Sequence, residues 1–257
     1  MNNQASNEYL FRAKASNGNL FKILVEVLQS NLKIACFNFR SDGIFLRQMD
    51  YKRLTLVDVR LLAKNFTEFH TNSNMFVGLT LTHLQKLLKT VKKKDTIRFC
   101  IKRDKPNELA IEVVPKEGRR KTTSYITIQR IQNIIIEIPQ GYRSEIKVPA
   151  SEFLKIHKDV LSIGKDVVLS TNAGKIIFET NAGGIIKRKI EYGDLDDFSA
   201  LTYKDDFESE QFVKICKICN LCSSVNLKTM DALPLMVSFK VGDLGEMNIL
   251  LKSKSQK

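Results

Sequence analysis

An internal repeat constrains this 257-residue sequence more than any other feature. Four short stretches carry apolar residues at the i, i+3, i+4 spacing of a helix with one buried face. They are Asn19–Gln29, Thr80–Val91, Ala150–Leu161 and Glu210–Cys222. The first and third lie about half a chain apart, and so do the second and fourth. The flanks repeat as well. Leu10–Ala15 leads into the first helix and Ser144–Val148 into the third. Ser41-Asp42-Gly43 and Asn172-Ala173-Gly174 are matching turns, each followed by an apolar strand. Thr96–Ile101 with Glu108–Val114, and Leu235–Val241 with Met247–Leu251, read as hairpins after the second and fourth helices. The pattern predicts an α+β chain made of two similar domains, each with two helices packed on antiparallel sheets. An N-terminal domain spans 1–126, a connector 127–143 and a C-terminal domain 144–257. The connector begins with strand-like alternation and ends in an apolar stretch broken by Pro139, which suits a segment lying on a surface.

Several classes are excluded. No apolar run is long enough to span a bilayer, and Met1–Glu8 is polar, without a signal pattern. Five sparse cysteines do not form a disulfide framework, so reduced thiols and an intracellular site are expected.

Charge narrows the partner. The chain has 41 Lys+Arg against 28 Asp+Glu, a formal net charge of +13. Glu191–Glu210 holds eight acids and one base, so the remainder is more basic still. Basic runs occur at Lys92–Lys94, Arg119–Lys121 and Lys187–Lys189, and the tail adds Lys252, Lys254 and Lys257. A surplus of this size points first to nucleic acid and second to an anionic membrane. Sorting the helices at 100° per residue puts Lys22 beside Glu26 and Gln29 on a narrow polar stripe. It turns Lys86 and Lys89, Lys155 and Lys158, and Lys214 and Lys217 away from the apolar faces. Lysines gathered on one side of the sheets would bind phosphates without reading bases. The sequence offers no helix arranged for base edges and no aromatic platform for single strands.

Catalytic and metal chemistry find little support. Cys216, Cys219 and Cys222 fall on one helical face with Phe212 and Ile215, and are expected to be structural thiols rather than zinc ligands. His70, His83 and His157 are far apart, and no phosphate-binding glycine loop is present. Asp42 and Asp50 flank a strand but are too few for a metal-dependent nuclease, a distant alternative. No cofactor and no metal are expected.

The whole chain resembles the proliferating-cell-nuclear-antigen type of DNA sliding clamp. The resemblance rests on Gly43–Val57, on Ile138-Pro139-Gln140 through Val148–Phe153 with Lys158-Asp159 and Ile163-Gly164, and on Leu233-Pro234-Leu235 with Val241–Gly245. It implies the DNA clamp fold, closed by subunits into a ring, usually a homotrimer, with the helices lining the hole. Lys14, Lys22, Lys86, Lys89, Lys155, Lys158, Lys214 and Lys217 would then face duplex DNA. Edges near Thr122–Ile128 and Gly184–Ile190 would pair between subunits. The family's partner-peptide pocket maps to Met49, Leu54, Leu56, Ile136, Ile138, Pro139, Pro234 and Leu250. Implied partners are double-stranded DNA without sequence preference, a DNA polymerase, a clamp loader and other proteins with clamp-interacting peptides, but no membrane. Implied localisation is the nucleus, or a viral replication compartment. The +13 charge departs from a family that is usually acidic, which keeps a monomeric or dimeric viral-type processivity factor and a heterotrimeric checkpoint clamp as alternatives. Lys252 and Leu250 also depart, standing where a small residue and an aromatic are common.

Overall fold

The computed structural model describes residues 8–131, 134, 136–142, 144–172, 174–196 and 199–256, without the side chains of Ser144 and Leu161. Met1–Asn7, Ala173 of the second turn, Lys257 of the tail, and residues 132, 133, 135 and 143 of the connector lie outside the described residues. The chain forms two compact units. One comprises Met1–Gln48, Asp58–Ile136 and Val241–Glu246; the other comprises Met49–Val57, Glu137–Lys240 and Met247–Lys257.

The first half of the chain opens with β1 (Tyr9–Ala15) and α1 (Gly18–Asn31), followed by β2 (Ile34–Arg40), β3 (Gly43–Met49) and β4 (Thr55–Leu62). β5 (Glu68–Thr71), β6 (Met75–Thr80), α2 (Leu81–Leu88), β7 (Thr96–Lys102), β8 (Glu108–Val114) and β9 (Thr122–Thr127) complete it. Five strands form a sheet in the order β5-β1-β7-β8-β9, and β4-β3-β2-β6 are consecutive neighbours in another. Alternation decides the buried face. Ala13, opposite Phe99 in the β1–β7 ladder, points toward the helices, and Phe99 lies 4.9 Å from Phe21 of α1 between ring centroids. Phe11, Phe39, Phe66 and Phe69 extend this aromatic core. After β9 the chain crosses β6, where the Gln129 N–H donates to the Gly78 carbonyl at 2.8 Å. A Cβ on Gly78 would sit 2.4 Å from the Gln129 carbonyl oxygen, so only glycine permits this approach.

The second unit contains β10 (Ser144–Pro149), α3 (Ala150–Leu161), β11 (Asp166–Thr171), β12 (Lys175–Ala182), β13 (Ile186–Gly193) and β14 (Tyr203–Glu208). α4 (Ser209–Ile215), β15 (Ser224–Thr229), β16 (Leu235–Val241) and β17 (Gly245–Leu251) follow. One sheet runs β13-β12-β11-β14, and β10-β15-β16-β17 are consecutive neighbours in another. Phe153, Ile156, His157 and Val160 form the buried face of α3. The second turn is an Asx turn, with Asn172 Oδ1 accepting the N–H groups of Gly174 and Lys175.

Three helices have the expected faces; α3 also has the expected ends, while those of α1 and α2 differ. α2 stops at Leu88, because Lys89 and Val91 donate to carbonyls only three residues back. The fourth segment needs a larger correction. α4 ends at Ile215 and a 3₁₀ turn runs over Cys216–Asn220. At three residues per turn, Ile215, Ile218 and Leu221 make one stripe, and they are buried with Phe212. Cys216, Cys219 and Cys222 fall on the next stripe and are half-buried. They do not share the face of Phe212 and Ile215.

Candidate functional site

In the first unit α1 and α2 pack side by side, and a lysine joins them. Lys22 Nζ donates to the Lys89 carbonyl at 2.9 Å, satisfying an end of α2. Lys86 and Lys89 are exposed, as is His83 on the same helix. Lys14 does not belong to this layer. It alternates with the buried Ala13 and Ala15, so it projects from the sheet face away from α1 and binds Glu68 at 3.2 Å. Arg12 and Arg98 reach the same carboxylate at 3.6 Å.

In the second unit Lys155 and Lys158 are exposed on α3, and Lys214 and Lys217 are half-exposed. Lys155 meets Glu152 at 2.7 Å and Lys214 meets Glu210 at 3.4 Å. Asp159 is held by Arg188 of β13. His157 is buried on α3; desolvation first, and Lys158 second, push its pKa below the ordinary value, so it is neutral.

The peptide-pocket positions divide by burial. Met49, Leu54, Ile138, Pro139 and Pro234 are half-exposed in the second unit, and Ile136 is half-exposed in the first. Leu56 and Leu250 are corrected to core positions, at 6% and 2% exposure. Both faces of their strand segments are covered, so alternation does not bring either side chain out. Asp50 shapes the loop before Leu54, its Oδ1 accepting the N–H groups of Leu54 and Thr55 at 2.8 and 2.9 Å. Asp42 is bound by Arg40, whose hydrogen bond holds its carboxyl below the usual range. Both aspartates therefore have structural partners.

Sequence reasoning missed two clusters. Asp58 is buried and receives Arg47 at 2.8 Å and Arg60 at 3.1 Å, and Arg47 also donates to the Ile136 carbonyl at 3.0 Å. An acid inside the apolar run of β4 was the available signal. The tail after β17 is held by Lys254 on Asp166 and Asp206, at 2.7 and 3.4 Å, and by Ser255 on Asp205. Lys252 is fixed through its backbone, donating to the Leu54 carbonyl and accepting from Gln211. Nothing local in the sequence marked these pairs.

Burial raises the Cys219 thiol to about 11 and the Cys222 thiol to about 12, leaving both protonated at neutral pH. Among the described residues, no group of three His, Cys, Asp or Glu is placed to hold a metal.

Edges complete the geometry. β9 and β13 each end a sheet, and each is paired on one side only within the chain. A groove of about 530 Å³ lies beside β9, lined by His83, Lys86 and Leu87 of α2 and by Tyr125 and Thr127.

Known proteins match this arrangement along nearly the whole chain. A solved proliferating cellular nuclear antigen from Entamoeba histolytica superposes with a TM-score of 0.85 at 22% identity, covering 96% of this chain and 99% of its own. Residues 10–134 match the N-terminal domain model of proliferating cell nuclear antigen and residues 137–254 match the C-terminal one. With both domains matched in order, the chain belongs to the proliferating cell nuclear antigen family and has its two-domain α+β clamp fold.

Proposed function

We propose that this protein is a DNA sliding clamp whose copies, three to a ring, close around duplex DNA and tether a DNA polymerase and other replication and repair proteins. The observation carrying most weight is the pairing, in each unit, of a lysine-bearing helical layer with an unfilled sheet edge. The β9 edge of one copy would take the β13 edge of the next by backbone hydrogen bonding. Tyr125 and Ile186, 60% and 51% exposed, would be covered in that contact. Lys187 and Lys189 guard the free edge against indiscriminate pairing.

The mechanism is mechanical. A closed ring stays on duplex by topology, so its phosphate contacts can be weak and exchange with counterions as it slides. Lys22, Lys86, Lys89, Lys155, Lys158, Lys214 and Lys217 would supply those contacts. A polymerase or clamp loader would dock a peptide on Met49, Leu54, Ile138, Pro139 and Pro234, gaining processivity through effective concentration. No catalytic role is assigned. The site of action would be the nucleus or a viral replication compartment.

The test is molar mass by light scattering, together with retention on circular DNA. A mass of three times 29.3 kDa, with retention lost when the circle is cut, is the expected result. Tyr125→Glu should give monomers that no longer raise polymerase processivity. A wild-type monomer, or equal retention on cut circles, would reject the ring.

A further inference from the structure

Two basic runs outside the helical layer meet at one end of the five-stranded sheet. Lys92, Lys93 and Lys94 lie in the turn entering β7, and Lys116, Arg119 and Arg120 lie in the turn from β8 to β9. β7 and β8 pair antiparallel with Thr96 opposite Val114, so one turn enters the sheet where the other leaves it.

Neither run is a loose tail. Asp95, 6% exposed, closes the first turn: its carboxylate accepts the Lys92 N–H at 2.9 Å and its own N–H donates to the Lys92 carbonyl at 3.1 Å. Its carbonyl accepts the Gly18 N–H at 2.7 Å, which hangs the turn on the start of α1. Gly118, at φ 69°, closes the second turn by donating to the Pro115 carbonyl at 2.9 Å.

All six cations are exposed, and among the described residues none of them forms an ion pair. Glu117 is the one exposed acid in the two turns. The opposite end of the same sheet is different: there Lys102 pairs with Glu8 at 2.9 Å and Lys105 with Glu108 at 3.9 Å.

We propose that these two turns form a second phosphate-binding face, which grips duplex DNA directly and apart from the helical lysines. The proposal rests on the reading of DNA as the partner. Cations fixed on short turns suit phosphates, which position a duplex without reading its sequence. The turns expose no large apolar side chain of the kind that inserts into a lipid surface. A ring with such a face would be held by topology and slowed by affinity.

The test uses the full chain, a short linear duplex that any ring can leave, and anisotropy across a salt series. Each lost phosphate contact should lower the slope of log affinity against log salt by about 0.9. K92Q/K93Q/K94Q and K116Q/R119Q/R120Q should therefore each lose about 2.7 of the slope. Over a fourfold rise in salt, the wild type would lose about 40-fold more affinity than either variant. K102Q/R103Q/K105Q, at the far end of the sheet, matches the charge change and should keep the wild-type slope. Equal slopes in the wild type and both turn variants would overturn the proposal. So would binding to phosphatidylserine vesicles with none to the duplex. Polymerase processivity on circular template, measured with the helical lysines replaced, reads the clamp separately. Lost processivity with unchanged turn slopes would sink this proposal alone, and the reverse pair of results would sink the channel alone.

Discussion

In the first unit, Lys22 and Lys86 stand on helices whose one acid is Glu26, and Lys89 caps the end of α2. In the second, Lys155 and Lys214 each lie against a glutamate one turn away, and Asp159 is taken by Arg188. Packing in the two layers is nevertheless alike. Leu81, Leu84 and Leu88 of α2 are as buried as Phe153, Ile156 and Val160 of α3. The repeat thus preserves what a helix must bury, while the solvent face has diverged. Burying one such side chain contributes about 1.5–3 kcal/mol, whereas an exposed ion pair contributes about 0–1 kcal/mol. The apolar pattern is therefore strongly constrained and the surface charges only weakly.

The comparison can be broken most forcefully through packing. Phe21→Ala in α1 and Phe153→Ala in α3 should each destabilise the protein by about 3–5 kcal/mol in chemical denaturation. A much smaller cost at one site would show that the layers are not equivalent cores. The next effect is electrostatic. Replacing Lys22, Lys86 and Lys89 with alanine should reduce the salt slope of duplex binding by about 2.7. Replacing Lys155, Lys158, Lys214 and Lys217 should remove about 1.8, because two of these four already answer glutamates. An equal or larger loss from the second set would erase the asymmetry. A gain-of-charge variant sharpens the same point: E152Q/E210Q should tighten binding by up to about fivefold per released lysine, read by anisotropy at low salt.

The smallest effect is a pH dependence confined to the second unit. His157 is neutral when folded, with a pKa below the ordinary 6.5. The unfolded chain therefore binds the extra proton first as pH falls. The contribution is fully present above pH 6.5 and is lost progressively as pH falls toward the folded pKa. The melting temperature should drop more between neutral and mildly acidic buffer in the wild type than in His157→Leu.

Local patterns made much of the fold readable. Apolar spacing located four helices, with α3 matching at both ends, and it placed the hairpin β7–β8 because a period of two needs no distant information. The fourth helix misled because a 3₁₀ turn begins at Cys216, and a sequence read at 100° per residue does not see the change of pitch. Lys14 was assigned by position, although the strand alternation of its neighbours already opposed it. Leu56 and Leu250 were placed in the pocket by the resemblance alone; their spacing already favoured the core, where both lie.

By itself, then, the sequence determined the two-copy architecture, the inward faces of the first three helices and the basic surplus. All of these follow from residue type and short-range period. Tertiary structure alone decided which charges remain free. Glu68 meets Lys14 across a ladder, Asp58 gathers two arginines, Lys254 finds Asp166 and Asp206, and Lys92–Lys94 come beside Arg119 and Arg120. Coulomb energy depends on distance through space, and strand pairing sets that distance with no trace in local periodicity.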